Sequence, residues 1–217
     1  MLSKSAECVL GAAMVSALLL LQPAPLRAEM IDRILAVVGG GLILQSDAIA
    51  ATRLRLVDVP EMPDRIQGAL DRLIERRLML VEVDRYGPPE PAPADVDAGV
   101  ATLVGRIASG DTLEAIFRAT GYSNEQLRIY VRDDLRIRAY LQQRFGNALA
   151  PTEDEIVQYY RTHESAFTSG GAVRPFVDVR DAARDALIAE RRTALLRDWI
   201  AGLRRRADVN VLYLPVR

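Results

Sequence analysis

The chain has 217 residues, of which 50% are hydrophobic and 26% charged, with 28 lysine plus arginine against 29 aspartate plus glutamate. This composition excludes a disordered tail and a membrane-embedded bundle, and the near-neutral charge argues against a nucleic-acid binder that depends on bulk positive charge. One cysteine and one histidine argue against disulfide frameworks, metal-ligand clusters and Cys/His catalytic pairs.

Residues 1–28 have the pattern of a secretory signal peptide. Lys4 precedes an apolar run from Val9 to Leu21, which is too short for a transmembrane helix, and Ala28 is the small residue at the predicted cut. An uncleaved anchor is the alternative. Cleavage would also remove Cys8, so we expect an exported protein without thiols in an oxidising compartment.

Two β candidates flank a helical middle. Residues 31–46 have aliphatic runs around three glycines, which is typical of a β-hairpin. A dinucleotide-binding loop is the alternative, but Leu42 to Leu44 continue as a strand instead of opening a helix. Asp208 to Leu214 predicts a terminal strand. Because an isolated hairpin is marginal in water, we expect this strand to join it. The predicted fold class is mainly α with a small sheet.

Apolar periodicity and capping residues predict the helices between these strands. They are a helix capped by Ser46 and running to about Leu56, one from Asp64 to Gly87, one from Ala94 to Ser109, one from Thr112 to Thr120, one capped by Ser123 and running to about Phe145, one opened by the capping box at Thr152, and one from Val177 to Ala207. The second is apolar on more than one side, so we expect it to be central. Apolar residues of the two long helices are expected to face inward, among them Leu141, Leu195, Leu196 and Trp199.

The residue types that carry catalysis are scarce. His163 has no evident nucleophile beside it and is expected to face solvent. The acidic clusters Asp133-Asp134 and Glu153 to Glu155 are interpreted as solvated faces rather than catalytic pairs or calcium ligands. Three arginine-rich stretches predict exposed ion-pair faces rather than phosphate contacts; they are 72–77, 128–138 and 191–206. We expect no catalytic residue, no cofactor and no metal.

Aromatic side chains are the remaining candidates for a binding surface. The simpler interpretation is that they belong to the core. The other is that some of them line an apolar groove for a peptide. On this second interpretation the residues that contact unfolded polypeptide are Phe117, Tyr122, Tyr130 and Tyr140.

The order of these elements resembles that of the SurA family of periplasmic chaperones. The resemblance rests on five segments that together span about Ile31 to Tyr213: IDRILAVVGGGLILQSDAIA, ALDRLIERRLMLVEVDRYG, TLEAIFRATGYSNEQLRIYVRDDLRIRAYLQQRF, PTEDEIVQYYRTHESAF and PFVDVRDAARDALIAERRTALLRDWIAGLRRRADVNVLY.

The resemblance implies a chaperone core without an isomerase. In the family, one or two parvulin-type prolyl isomerase domains lie between the last two segments, where this chain has only a short stretch. It therefore implies a SurA N-terminal-like helical module over residues 29–167, a loop in place of the isomerase insert over 168–175, and a helix and strand over 176–217 that complete the same domain.

The function that the resemblance implies is that of an ATP-independent periplasmic holdase. Its partners would be unfolded polypeptides, outer-membrane proteins in particular, with no nucleic acid and no stable membrane insertion after signal cleavage. Three alternatives stay open: residual prolyl isomerase activity, a dedicated binding subunit for one envelope protein, and a homodimer with exchanged segments.

Overall fold

A computed structural model describes residues 32–107 and 112–214, and the predicted signal peptide lies outside the described residues. The strands in this part of the chain are β1 (Ile34–Val38), β2 (Gly41–Leu44), β3 (Thr168–Ser169), β4 (Ala172–Val173) and β5 (Val209–Val211). The α-helices are α1 (Gln45–Arg53), α2 (Arg65–Tyr86), α3 (Pro93–Val104), α4 (Leu113–Thr120), α5 (Asn124–Leu149), α6 (Glu153–Thr162) and α7 (Phe176–Arg206), with a 3-10 turn at Glu164–Phe167. The mainly α fold class is confirmed.

The terminal strand joins the N-terminal hairpin, as predicted. β1 pairs antiparallel with β2 on one side and with β5 on the other, where Val38 lies opposite Val209. The hairpin turns at Gly39 and Gly40, whose φ angles of +54° and +77° lie in the region that favours glycine. The order β2-β1-β5 leaves β1 in the middle, so the two ends of the described chain close one sheet.

Helix α2 is the centre of the main core, as its apolar character on several sides predicts. It packs against both strands of the hairpin and against α1, α5 and α7. Leu70, Ile74 and Val83 are fully buried on it. The Asp64 carboxylate caps its first turn by accepting the backbone N–H of Gln67 at 2.9 Å.

The start of α1 differs from the prediction, because Ser46 is not its N-cap. The N-cap is Leu44, two residues before Ser46, so the helix begins at Gln45. The Asp47 carboxylate accepts the backbone N–H of Leu44 at 2.8 Å, and Asp32 accepts that of Ser46 at 3.1 Å. Since Asp32 precedes the hairpin, the cap is partly a tertiary contact that the local pattern around Ser46 does not contain.

The predicted ends of two other helices were also wrong. Helix α5 passes through Gly146 and ends at Leu149, which is only 8% exposed. Burial of a leucine contributes about 1.5–3 kcal/mol, more than the roughly 1 kcal/mol that a helical glycine costs. The helix stops before Pro151, which disfavours helical geometry at Ala150. Helix α3 ends at Val104, and the predicted end at Ser109 lies outside the described residues.

A second core joins α6 to the N-terminal half of α7, and we call this part the arm. Its buried residues are Ile156, Ala183 and Leu187. In place of the predicted loop, residues 168–173 form the minimal hairpin β3-β4, which turns at Gly170 and Gly171. Helix α7 has 31 residues and is therefore about 46 Å long, so it extends from the arm into the main core.

None of the helices in the described ranges combines the length and the apolar character that crossing a bilayer requires.

Candidate binding groove

An apolar groove lies between α5 and α7, beside the main core. Its volume is about 210 Å³. The floor is formed by five apolar side chains, which are Leu141, Phe145 and Leu149 from α5 and Leu195 and Leu196 from α7. Leu149 is buried and the other four are half-buried. The groove is therefore apolar surface that remains accessible to solvent.

Helical spacing places the floor on one side of α5. Leu141, Phe145 and Leu149 recur every fourth residue, which aligns them along one face. The Phe145 ring meets the ring of Trp199 edge-on, with centroids 5.8 Å apart, and Trp199 is 9% exposed in the main core. The floor is thus the outer surface of packed core, which holds it in place.

The prediction that Leu141, Leu195 and Leu196 face inward is right only in part, because Leu141 and Leu196 pack against the main core but all three stay partly exposed. All three are half-buried, and they line the groove. The apolar stripes of α5 and α7 are wider than the contact between the two helices can cover. The width of those stripes is the signal that sequence offers for the groove, but it does not show which part stays uncovered.

The rim of the groove is polar and cationic. Arg138 and Arg192 line it together with Gln142, and the lining contains no carboxylate. Arg138 pairs with Asp134 one helical turn earlier, yet its side chain is 71% exposed. A segment that enters the groove therefore meets apolar side chains below and guanidinium groups at the edge.

Arg76 on α2 determines where α5 lies. Its guanidinium donates to the Tyr130 carbonyl oxygen at 2.7 Å and lies 3.4 Å from an Asp134 oxygen. It also stacks over the Tyr130 ring, 3.7 Å from the centroid. With 8% exposure, this arginine is buried and contacts α5 through three separate groups.

The prediction of an exposed ion-pair face over residues 72–77 was wrong for Arg76. Arg76 follows Leu73 by three residues and precedes Leu80 by four, so the three side chains share the face of α2 that packs against α5. This spacing would have predicted a buried Arg76 only if α5 had been known to pack on that face of α2.

The prediction that Asp133 and Asp134 form a solvated face was also wrong. Their side chains are only 15% and 30% exposed. Asp133 lies 2.8 Å from Arg132 and 3.8 Å from Arg136, and Asp134 holds Arg76. Asp134 connects α5 to α2 by neutralising the buried Arg76, whereas Asp133 pairs with two arginines of α5 itself, so both carboxylates have a structural role.

The four predicted client-contacting residues do not lie in the groove. Phe117 and Tyr122 pack together with ring centroids 6.4 Å apart. Tyr122 and Tyr130 line a separate pocket of about 140 Å³. Tyr140 lies apart from them, 5% exposed and packed against Trp199. The structure therefore brings three of the four into one region and buries the fourth in the main core.

The small tyrosine pocket contains opposite charges. Asp47, Arg76 and Arg77 line it with the two tyrosines. Burial, with a smaller contribution from the charge of Asp47, raises the pKa of Tyr122 to about 12. Burial likewise raises the pKa of Asp47, against the effect of its hydrogen bond from Leu44. Burial also raises the pKa of Tyr130, so both phenols stay neutral at physiological pH.

His163 and the acidic start of α6 serve the arm. His163 is half-buried rather than solvent-facing, because its ring stacks on that of Tyr159 at a centroid distance of 4.1 Å. Glu155 bonds Arg191 of α7 and accepts the backbone N–H of Thr152 at 2.8 Å. The bond from Arg191, followed by that from Thr152, lowers the pKa of Glu155 to about 2. The Glu155–Arg191 ion pair joins α6 to α7, as an ion-pair face predicts, while the other two contacts lie within α6 and its caps.

No family model matches this sequence, and no curated protein matches it. Among solved structures, the chain is similar to one from the work on the virulence factor PEB4 and the periplasmic protein Cj1289, described as two structurally related SurA-like chaperones in the human pathogen Campylobacter jejuni. The match has a TM-score of 0.50 at 14% sequence identity, and it covers 83% of this chain and 99% of that chain. The fold is therefore SurA-like, as the resemblance in sequence implies.

Proposed function

We propose that this protein is an ATP-independent periplasmic holdase that binds unfolded polypeptides, outer-membrane proteins among them, and keeps them from aggregating. The observation that carries this proposal is the open apolar groove between α5 and α7 on a SurA-like fold. Precursors of membrane β-barrels alternate apolar and polar residues and must cross water before insertion, so a reversible apolar surface can shield them.

The shape of the groove supports a polypeptide as its occupant. A volume of about 210 Å³ is below the range of roughly 300–1,000 Å³ that is typical of small-molecule sites. It accepts one or two side chains of a longer segment. Binding by a few apolar anchors tolerates varied sequences, which is the property that a holdase needs.

Export supports the periplasmic part of the proposal. The signal-peptide pattern of residues 1–28 directs the chain out of the cytoplasm, and the remainder contains no cysteine that an oxidising compartment could modify. The proposed activity requires no cofactor and no catalytic side chain.

The test is suppression of aggregation with a groove variant. We expect the purified protein to slow light scattering by a denatured outer-membrane barrel diluted from urea. Leu195→Asp should raise the half-effective chaperone concentration about five-fold, because it removes roughly 1 kcal/mol of apolar contact from the groove floor. The matched control is Val177→Asp on the same helix, where the wild-type side chain is 80% exposed and outside the groove.

Two results would contradict the proposal. One is wild-type protein that fails to slow aggregation at a several-fold excess. The other is a proline-limited refolding assay in which the protein accelerates folding catalytically, which would support the isomerase alternative. Equal loss of activity in the Leu195 and Val177 variants would place the binding surface elsewhere on the molecule.

A further inference from the structure

The cations at the groove rim are not fully neutralised by the protein itself. The Asp134 carboxylate lies between two guanidinium groups, with one oxygen at Arg76 and the other at Arg138. A single negative charge thus serves two positive ones. Arg138 is the more exposed of the two, so its charge is available to an occupant of the groove.

Arg192, on the opposite wall, has no ion pair within residues 32–107 and 112–214. Four other arginines of α7 have acidic partners; they are Arg180, Arg184, Arg191 and Arg197. Arg192 is exposed and lines the groove with Arg138, while the lining includes no acidic side chain. Both walls of the groove therefore present positive charge over an apolar floor.

The spacing between charge and floor defines the occupant further. On each helix the arginine lies one turn from the nearest floor residue, since Arg138 precedes Leu141 by three positions and Arg192 precedes Leu195 by three. Side chains related in this way lie about 5–6 Å apart at their Cβ atoms. In an extended peptide, residues i and i+2 share one face and lie about 7 Å apart. The two spacings differ by only about 1–2 Å, which the long, flexible arginine side chain can span.

We propose that the groove selects segments of unfolded polypeptide in which a large apolar side chain and a carboxylate stand two residues apart. This inference rests on the proposed chaperone function and specifies its substrate class. The apolar side chain fills the floor formed by Leu141, Phe145 and Leu195, and the carboxylate pairs with Arg192 or Arg138. Guanidinium groups suit this pairing because their planar forks bind carboxylate oxygens with two hydrogen bonds.

The test uses three labelled peptides of equal length in an extended, otherwise neutral sequence. They contain Phe-x-Asp, Phe-x-Asn or Phe-x-Lys, and binding is measured by fluorescence anisotropy at low salt. We expect affinity to fall in that order, with the Asp peptide about three- to ten-fold tighter than the Lys peptide, as exposed ion pairs allow. The preference should shrink at 0.5 M salt because exposed charges are then screened.

Arg192→Glu should reverse the order of the Asp and Lys peptides or make them equal. The matched control is Arg197→Glu, which changes the net charge of the same helix equally at a side chain that is 73% exposed and outside the groove lining. It should keep the wild-type order. Arg192→Gln, which removes the charge without adding another, repeats the test if the reversed charge lowers the melting temperature.

The outcomes separate this inference from the proposed function. Equal binding of the three peptides by the wild-type protein, no binding of any of them, or an acidic preference that Arg192→Glu and Arg192→Gln leave unchanged, each overturns the inference. The barrel-aggregation assay decides the chaperone function independently, since it does not depend on which peptide the groove prefers.

Discussion

At the scale of single residues, Arg76 determines how α2 and α5 fit together. It is buried, and it bonds the Tyr130 carbonyl and Asp134 while covering the Tyr130 ring. Tyr130 adds a further contact through its hydroxyl, which donates to the backbone carbonyl oxygen of Leu56. A buried charge is tolerated here because every side of it has a partner. Asp134 also pairs with Arg138 at the groove rim, so Arg76 and the rim are connected through the Asp134 carboxylate.

We therefore expect Arg76→Ala to lower the free energy of unfolding by about 2–3 kcal/mol, since it removes charged hydrogen bonds and a stacked contact. Arg72→Ala is the matched control on the same helix, where an exposed pair with Glu75 contributes at most about 1 kcal/mol. Urea unfolding followed by circular dichroism measures both. Equal losses in the two variants would mean that the buried network contributes no more than a surface pair.

At the scale of elements, local capping chemistry sets most helix starts, and one cap also holds the C-terminal segment. Asp64 accepts the Gln67 N–H at 2.9 Å, as an N-cap does. The same carboxylate accepts a hydrogen bond from the Tyr213 hydroxyl at 2.9 Å. The N-terminus of α2 and the residues after β5 are thus joined through one side chain.

Asp64→Ala should cost about 2–3 kcal/mol of stability, because it removes a helix cap and the tyrosine contact together. Ser123→Ala removes only the cap of α5, where the serine hydroxyl accepts the Gln126 N–H at 3.2 Å, and should cost about 1 kcal/mol. A double-mutant cycle of Asp64→Ala with Tyr213→Phe measures the shared part, which we expect to be about 1 kcal/mol. Strict additivity would show that the two groups do not interact.

At the scale of the whole molecule, the sheet closes the chain and α7 connects the two cores. β5 covers the outer edge of β1, and the backbone N–H groups of Leu212 and Tyr213 both donate to the Leu35 carbonyl oxygen, at 2.8 and 3.0 Å. Leu35 is fully buried. The C-terminal strand therefore completes the main core, although it lies some 170 residues from β1 in sequence.

A chain that ends at Asp208 should lose at least about 3 kcal/mol of stability, because these two backbone bonds and the hydrogen bond from the Tyr213 hydroxyl to Asp64 disappear at about 1 kcal/mol each. It should also aggregate more readily, since β1 becomes an open edge. Thermal unfolding and size-exclusion chromatography test both expectations. An unchanged melting temperature would show that the closing strand is dispensable.

The amino-acid sequence was sufficient to predict the hairpin, the central helix, the joining of the terminal strand and the SurA-like order of elements. The caps at Ser123 and Thr152 were predicted, and those at Asp64 and Thr112 follow the same local rule, because a cap joins residues two or three positions apart. Apolar periodicity reports which side of a helix is buried for the same local reason.

Contacts between distant segments fix how far α5 extends past Gly146. They also bury Arg76, place Tyr140 in the core and leave an open groove between α5 and α7. Each depends on a neighbour distant in the chain, as Arg76 depends on Asp134, 58 residues later. The floor residue Leu141 has the same apolar pattern whether it is covered or open. The physical difference lies in how closely two helices approach, and pairing across such distances is not encoded in any local pattern.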